Sequence, residues 1–169
     1  MKKINKIIVF LMLGAIPPVV YNSYSHKHIA DQVLKCRAYI ILDRYNSDNE
    51  NIYTSYALMV KKNGNNKAES TFSGTILSKK DSGITSQNIF ATNYYSYQVN
   101  GNRLDISTSK VITRPGNTVS EDMLSDYVSS SLRDDFHYRY YMYLIDNSVP
   151  AFGEATFPRV ICGKDILPP

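Results

Sequence analysis

Apolar and polar residues are separated most sharply at the N-terminus. Residues 7–21 carry no charge, and Lys2, Lys3 and Lys6 precede them. A basic flank before an apolar segment favours insertion into a membrane with the short N-terminal end in the cytoplasm. This pattern predicts a cytoplasmic tail at 1–6, a transmembrane segment at 7–24 and a periplasmic domain at 25–169.

The same stretch also fits a cleaved signal peptide, with Ser23 and Ser25 before the cut. As a retained anchor, the run of fifteen residues at ~1.5 Å each covers about 22 Å of a ~30 Å apolar core. Lys6 can offset this shortfall by snorkelling to the interface. Both interpretations place residues 26–169 outside the cytoplasm.

In the exported part, apolar and polar residues alternate over short segments, which is typical of strands with one buried face. Predicted strands cover residues 36–45, 52–60, 68–78, 88–99, 102–112, 136–146 and 151–162. Asn63-Gly64 and Asn100-Gly101 predict tight hairpin turns, because these pairs accept positive φ at low cost. Gly74 marks a candidate bulge, and Pro158 indicates an edge position or a bulge in the last strand.

Two segments have helical spacing instead. Residues 25–35 place Ile29, Val33 and Leu34 on one side. Residues 118–132 form one amphipathic helix, and Thr118 with Glu121 fits a capping box. Its apolar stripe consists of Val119, Met123, Leu124, Tyr127, Val128 and Leu132. The order of elements predicts an α+β domain with a mainly antiparallel sheet, able to curl into a partial barrel.

Charge and cysteine content limit the classes of function and the covalent links that the chain can have. Three of the 19 Lys and Arg lie in the N-terminal flank, which leaves 16 against 15 Asp and Glu, a net charge of +1. A nearly neutral domain without a basic cluster is not expected to bind nucleic acid directly. Cys36 and Cys162 are the only cysteines. In an oxidising compartment they indicate one disulfide, the alternative being two buried free thiols.

The sequence offers few residues that could catalyse a reaction or bind a metal. The sequence contains no GxSxG, HExxH or CxxC motif, so we predict no enzyme, no cofactor and no metal site. His137 is a candidate pH-responsive residue, because histidine changes its charge between roughly pH 5 and 8. The alternative is an ordinary half-buried histidine in a strand, whose change of charge has no effect on function.

Tyrosine is over-represented, with 14 residues and no tryptophan. Tyrosine suits a surface that is soluble alone and apolar when bound. Two clusters are therefore candidate surfaces for a partner or a small amphipathic ligand, although any single tyrosine can equally belong to the core. They consist of Tyr94, Tyr95, Tyr97, Tyr138, Tyr140, Tyr141 and Tyr143.

The layout resembles the MyfF/PsaF-type fimbrial regulators, accessory partners of ToxR-like membrane activators; FidL-like and ToxS-like proteins share the plan. The resemblance lies in the lysine flank, the apolar run 7–21, the segment CRAYIILDRY at 36–45 and FPRVICGK at 157–164. It covers the whole chain as architecture, without a short catalytic motif. The two cysteines depart from the ToxS-like pattern.

This resemblance implies a non-enzymatic regulator of fimbrial and virulence genes, held in the inner membrane by a single pass. Its periplasmic domain would form a heterodimer with the periplasmic domain of a MyfE/PsaE-like activator, stabilising it or tuning its response to acid pH. Related pairs form a barrel-like fold that can hold a ligand. The alternative function is a periplasmic small-ligand-binding protein released by signal peptide cleavage.

Overall fold

The computed structural model describes residues 25–46, 50–80, 83–146 and 148–163. The predicted cytoplasmic tail and transmembrane segment lie outside these residues. None of the helices within them has the length and apolar character needed to cross a membrane.

The described residues form eight strands and two helices. The helices are α1 (25–33) and α2 (Glu121–Tyr127). The strands are β1 (Arg37–Asn46), β2 (Glu50–Lys62), β3 (Lys67–Lys80), β4 (Gly83–Asn100), β5 (Arg103–Thr113), β6 (His137–Ile145), β7 (Val149–Gly153) and β8 (Pro158–Ile161). They make one antiparallel sheet in which sequential strands are neighbours. This sheet curls into a nearly closed barrel, which confirms the predicted α+β class.

Hairpins are present at both predicted Asn-Gly pairs, although the β2–β3 connection is a loop over residues 63–66 in which Asn66 also has positive φ. Gly64 and Gly101 both have positive φ, at +90° and +63°, and they join β2 to β3 and β4 to β5. Alternation along the strands points one set of side chains into the barrel and the other set outward. Ile76, Ile89 and Ala91 face inward and are completely buried.

Each helix packs against one end of the barrel. Ala30 and Val33 of α1, together with Leu34 directly after it, lie among residues near the β4–β5 turn. Leu124 and Val128 pack at the other end, among residues such as Ile76 and Ile89. Val119, Leu124, Val128 and Leu132 of the predicted apolar stripe are buried, but only Leu124 of these lies within the helix.

The predicted limits of the second helix were wrong. The helix begins after Ser120, whose side chain accepts a hydrogen bond from the Met123 N–H. Thr118 is not the cap, because its hydroxyl accepts the Asn88 N–H at 2.8 Å and is held by β4. Beyond Val128 the chain continues as turns along the barrel wall, where the Ser131 carbonyl accepts the Thr108 hydroxyl.

Two other local predictions also fail. Residues 151–162 form two strands instead of one, because the chain reverses where the Glu154 N–H donates to the Phe157 carbonyl. Gly74 is not a bulge, since the register of β3 is continuous on both sides. A Cβ at Gly74 would lie 2.1 Å from the Ser55 carbonyl oxygen, so glycine is needed there for close approach.

The barrel is incomplete between its first and last strands. β1 pairs with β2 and β8 with β7, and no ladder joins β1 to β8 among the described residues. The seam is held by the Gly163 N–H, which donates to the Arg37 carbonyl at 2.8 Å, and by the predicted disulfide between Cys36 and Cys162, which is present. As expected for a strand containing Pro158, β8 lies at the edge of the sheet.

Candidate functional site

The barrel encloses a cavity of about 370 Å³. Its size falls within the range of small-molecule pockets, which are mostly apolar with a few polar groups. Inward-facing side chains of all eight strands and of α1, together with the segment 125–131, line the cavity. The apolar wall includes Leu34, Ile40, Leu42, Leu58, Val60, Phe72, Leu104, Ile106, Phe152 and Val160.

One polar side chain in this wall has unsatisfied hydrogen-bonding groups. Asn93 of β4 is 1% exposed, and neither its Oδ1 nor its Nδ2 has a hydrogen-bond partner among the described residues. Its neighbours Ala91 and Tyr95 are buried on the same face of the strand. A buried amide without partners costs about 1–3 kcal/mol, so this residue opposes folding unless the cavity supplies a partner.

Two hydroxyl groups of the wall lie close to Asn93, and further serines and tyrosines line the cavity elsewhere. Ser70 is the cross-strand neighbour of Asn93, and its hydroxyl donates to the Tyr95 hydroxyl at 3.2 Å. Burial raises the pKa of Tyr95 and of Tyr140 to about 12. Burial also raises the pKa of Tyr56, whose hydroxyl donates to the Val128 carbonyl at 2.9 Å. These phenols are uncharged at neutral pH.

Charged residues occur only at the rim of the cavity, among the residues that line it. Arg44 and Arg159 are exposed. Arg44 donates to the Asp126 carbonyl and lies over the ring of Tyr127 at 5.8 Å from its centroid. Arg159 forms an ion pair with Glu154. The interior is therefore neutral, and its mouth carries charges of both signs.

The second candidate feature is the free edge of β1. The Cys36 carbonyl accepts the Val60 N–H, so in the antiparallel register the even-numbered residues of β1 direct their backbone groups toward β2. The odd-numbered residues direct theirs toward the seam. Among the described residues, the backbone groups of Tyr39, Ile41 and Asp43 have no partner across it.

Exposed apolar side chains flank this edge. Ile41 on β1 is 52% exposed and Ile161 on β8 is 53% exposed. β8 is short and begins with Pro158, which is a common protection of a sheet edge. β1 is ten residues long and contains neither proline nor lysine. An edge of this kind is a template for pairing with another strand.

The seven candidate tyrosines divide between the two faces of the sheet. On the inner face are Tyr95, Tyr97, Tyr138 and Tyr140, of which Tyr95 and Tyr97 are buried and Tyr138 is 38% exposed. Those on the outer face are Tyr94, Tyr141 and Tyr143. Tyr95, Tyr138 and Tyr140 line the cavity, so they are candidates for contact with a ligand. The three outward tyrosines are candidates for contact with a partner.

His137 lies apart from the cavity wall. It is exposed on β6, and its Nδ1 is 2.8 Å from the Ser107 hydroxyl.

Asn93 was not among the residues predicted from the sequence, although a signal was available. Asn93 is a polar residue at an inward position of an alternating strand, between Ala91 and Tyr95.

No known family model, curated protein or solved structure matches this chain. Among the described residues, no group of three or more His, Cys, Asp or Glu side chains could hold a metal ion. Two features of the described residues are therefore relevant to function, the cavity and the edge of β1.

Proposed function

We propose that this chain is a non-enzymatic accessory regulator that binds the periplasmic domain of a membrane-bound ToxR-like activator. The observation that carries the proposal is the unpaired edge of β1, which is flanked by the exposed side chains of Ile41 and Ile161. An extended strand of the partner adds to this edge, so main-chain hydrogen bonds supply affinity and outer side chains supply specificity. The activator would be a MyfE/PsaE-like regulator of fimbrial and virulence genes.

Ile41 allows the backbone contribution to be tested separately. Its N–H points to the seam, so proline at this position removes one edge donor and leaves the ladder to β2 intact. Ile41→Thr is the matched control, because it shortens the apolar side chain but keeps the N–H. We expect Ile41→Pro to weaken the complex about tenfold more than Ile41→Thr, as one edge hydrogen bond and its local geometry are lost.

The test is co-purification of the full-length chain with the periplasmic domain of an activator encoded nearby. Titration of wild type and both variants then gives the affinities. Equal affinity of Ile41→Pro and wild type would contradict strand addition at this edge. Failure of every nearby activator domain to bind the wild-type chain would contradict the regulatory function itself.

The acid response remains part of this proposal. His137 on β6 would act by becoming charged at acid pH, in which case raising the pH would weaken the partner complex. His137→Ala should then abolish the pH dependence of partner binding. An unchanged pH dependence in this variant would show that His137 does not cause the acid response.

The cavity favours a second candidate function, binding of a small amphipathic ligand in the periplasm. A volume of about 370 Å³ with mostly apolar walls supports it. In this alternative the chain is released by signal peptide cleavage near Ser25. Intact-mass measurement of the membrane and soluble fractions separates the two, because a soluble form starting near His26 would contradict the anchored regulator.

A further inference from the structure

The cavity contains one side-chain amide without a hydrogen-bond partner, and its interior is uncharged. Asn93 offers one acceptor, Oδ1, and the donors of Nδ2, and none of these is used by the described residues. Beside it, the Ser70 hydroxyl donates to the Tyr95 hydroxyl, whose own O–H is still a donor. A ligand head group at this position is therefore recognised by the Asn93 amide.

The charge around this position decides which head group fits. The walls from α1, β3 and β5 contribute no ionisable group to the cavity lining, and β2, β4 and β6 contribute only tyrosines. The charged groups are Arg44 on β1, Asp126 on α2, Glu154 directly after β7, and Arg159 on β8. All four lie at the exposed rim, where both arginines already have partners.

An ionised carboxylate at Asn93 would thus be desolvated, and the two arginines, whose charges act on Tyr56 and Tyr140 from the rim, already have partners. Such burial is costly and raises the pKa of an acid. A protonated carboxylic acid suits the same position, because its O–H donates to Oδ1 while its carbonyl accepts from Nδ2–H. A primary amide makes the same paired contact and carries no charge at any relevant pH.

We propose that the cavity binds amphipathic carboxylic acids in their protonated, uncharged form, with the acid group paired to the Asn93 amide and the alkyl chain along the apolar wall. This inference rests on the second candidate function, ligand binding in the cavity, and adds the chemistry of the ligand. Binding then strengthens in acid because the ligand itself titrates. No side chain of the protein has to change its charge.

The expected pH dependence follows from the ligand. A carboxyl group with an ordinary pKa of ~4.3 is about 17% protonated at pH 5 and about 0.2% protonated at pH 7. The apparent affinity should therefore fall about 80-fold between these two values, in proportion to the protonated fraction. An acid bound instead as a carboxylate, with its head at Arg44 or Arg159, would bind almost equally at both.

Octanoic acid and octanamide are the matched probes. The full-length chain in lipid nanodiscs is dialysed to equilibrium against each radiolabelled probe at pH 5 and pH 7, and binding to protein-free nanodiscs is subtracted. The free concentration is measured outside the membrane, so partitioning into lipid does not enter the affinity. We expect octanamide to bind alike at both pH values and octanoic acid to bind about 80-fold more weakly at pH 7.

Two variants locate the head group. Asn93→Leu should weaken octanamide binding about tenfold, because the paired hydrogen bonds are lost. Asn88→Leu makes the same change on the outer face of the same strand and should have no effect. Each variant is first compared with wild type by circular dichroism, and the wild-type pH comparison stands even if Asn93→Leu does not fold.

The remaining outcomes overturn different claims. Absence of octanamide binding would refute ligand binding in the cavity, and with it the second candidate function. Octanamide binding together with pH-independent octanoic acid binding would leave a ligand site but refute selection of the protonated acid. Normal octanamide binding by a folded Asn93→Leu chain would refute Asn93 as the head-group position.

Discussion

Removal of the disulfide is a strong test of how the barrel is held closed. The Cys36–Cys162 bond joins residues 126 positions apart and connects the two free edges of the sheet. Both cysteines are buried, at 1% and 7% exposure, and belong to the same apolar cluster. Replacing both by alanine removes the cross-link and leaves small apolar side chains in their place.

The magnitude follows from the length of the closed loop. On the chain-entropy model, cross-linking a loop of this length stabilises the native state by about 5 kcal/mol at 25 °C. Total stabilities of domains are about 5–15 kcal/mol, so the loss is a large fraction of the whole. With a shift of about 2–4 °C per kcal/mol in a chain of this size, Tm should fall by about 10–20 °C.

The assay is urea unfolding of the full-length chain, followed by circular dichroism. The Cys36→Ala/Cys162→Ala double variant is compared with wild type, before and after treatment with a reducing agent. Reduction should destabilise wild type to the level of the double variant and should leave the variant unchanged. A loss below about 1 kcal/mol would refute the loop-closure reasoning and would mean that the packed seam alone holds the edges together.

Three other changes test the interior. Gly74→Ala should destabilise the chain by about 1–3 kcal/mol in urea unfolding, because its Cβ would meet the Ser55 carbonyl oxygen; an unchanged midpoint would contradict the close approach of β2 and β3. Asn93→Leu should stabilise the ligand-free chain by about 1–3 kcal/mol, since an unpartnered buried amide is removed, and a loss of stability would show that the amide is satisfied. The pKa of Tyr95 is raised by burial from 10.0 to about 12, so the unfolded chain ionises first, and stability present below pH 10 should fall as the pH rises toward 12 by up to about 1.4 kcal/mol per pH unit. Stepwise alkaline urea unfolding measures this fall, and Tyr95→Phe should reduce it.

The strands could be predicted because each carries its own local signal. Gly64 and Gly101 mark the two hairpin connections with positive φ, and alternation on either side sets the buried face and therefore the register. The disulfide was also predictable, since two cysteines have one possible intramolecular pairing.

Features that depend on distant contacts were not predictable. Thr118 is a good local cap, but its hydroxyl is used by Asn88 of β4, so the helix begins after Ser120 instead. Likewise, the requirement for glycine at position 74 comes from the approach of β2. Local spacing carries no information about such neighbours.

The candidate site shows the same division. Tyrosine content predicted a surface, but the curl of the sheet decides that Tyr95 and Tyr140 line a cavity while Tyr94 and Tyr141 face outward. The alternation along β4 places Asn93 at an inward position, but only the surrounding structure shows that its amide has no partner there.

Hydrogen exchange along β1 tests the proposed binding mode most directly. In the free chain, the amides of Ile40 and Leu42 are protected by β2, whereas those of Ile41 and Asp43 point to the open seam. Addition of the activator's periplasmic domain should slow exchange at Ile41 and Asp43 and leave Ile40 and Leu42 nearly unchanged. A complex that forms without protecting Ile41 and Asp43 would contradict strand addition to β1.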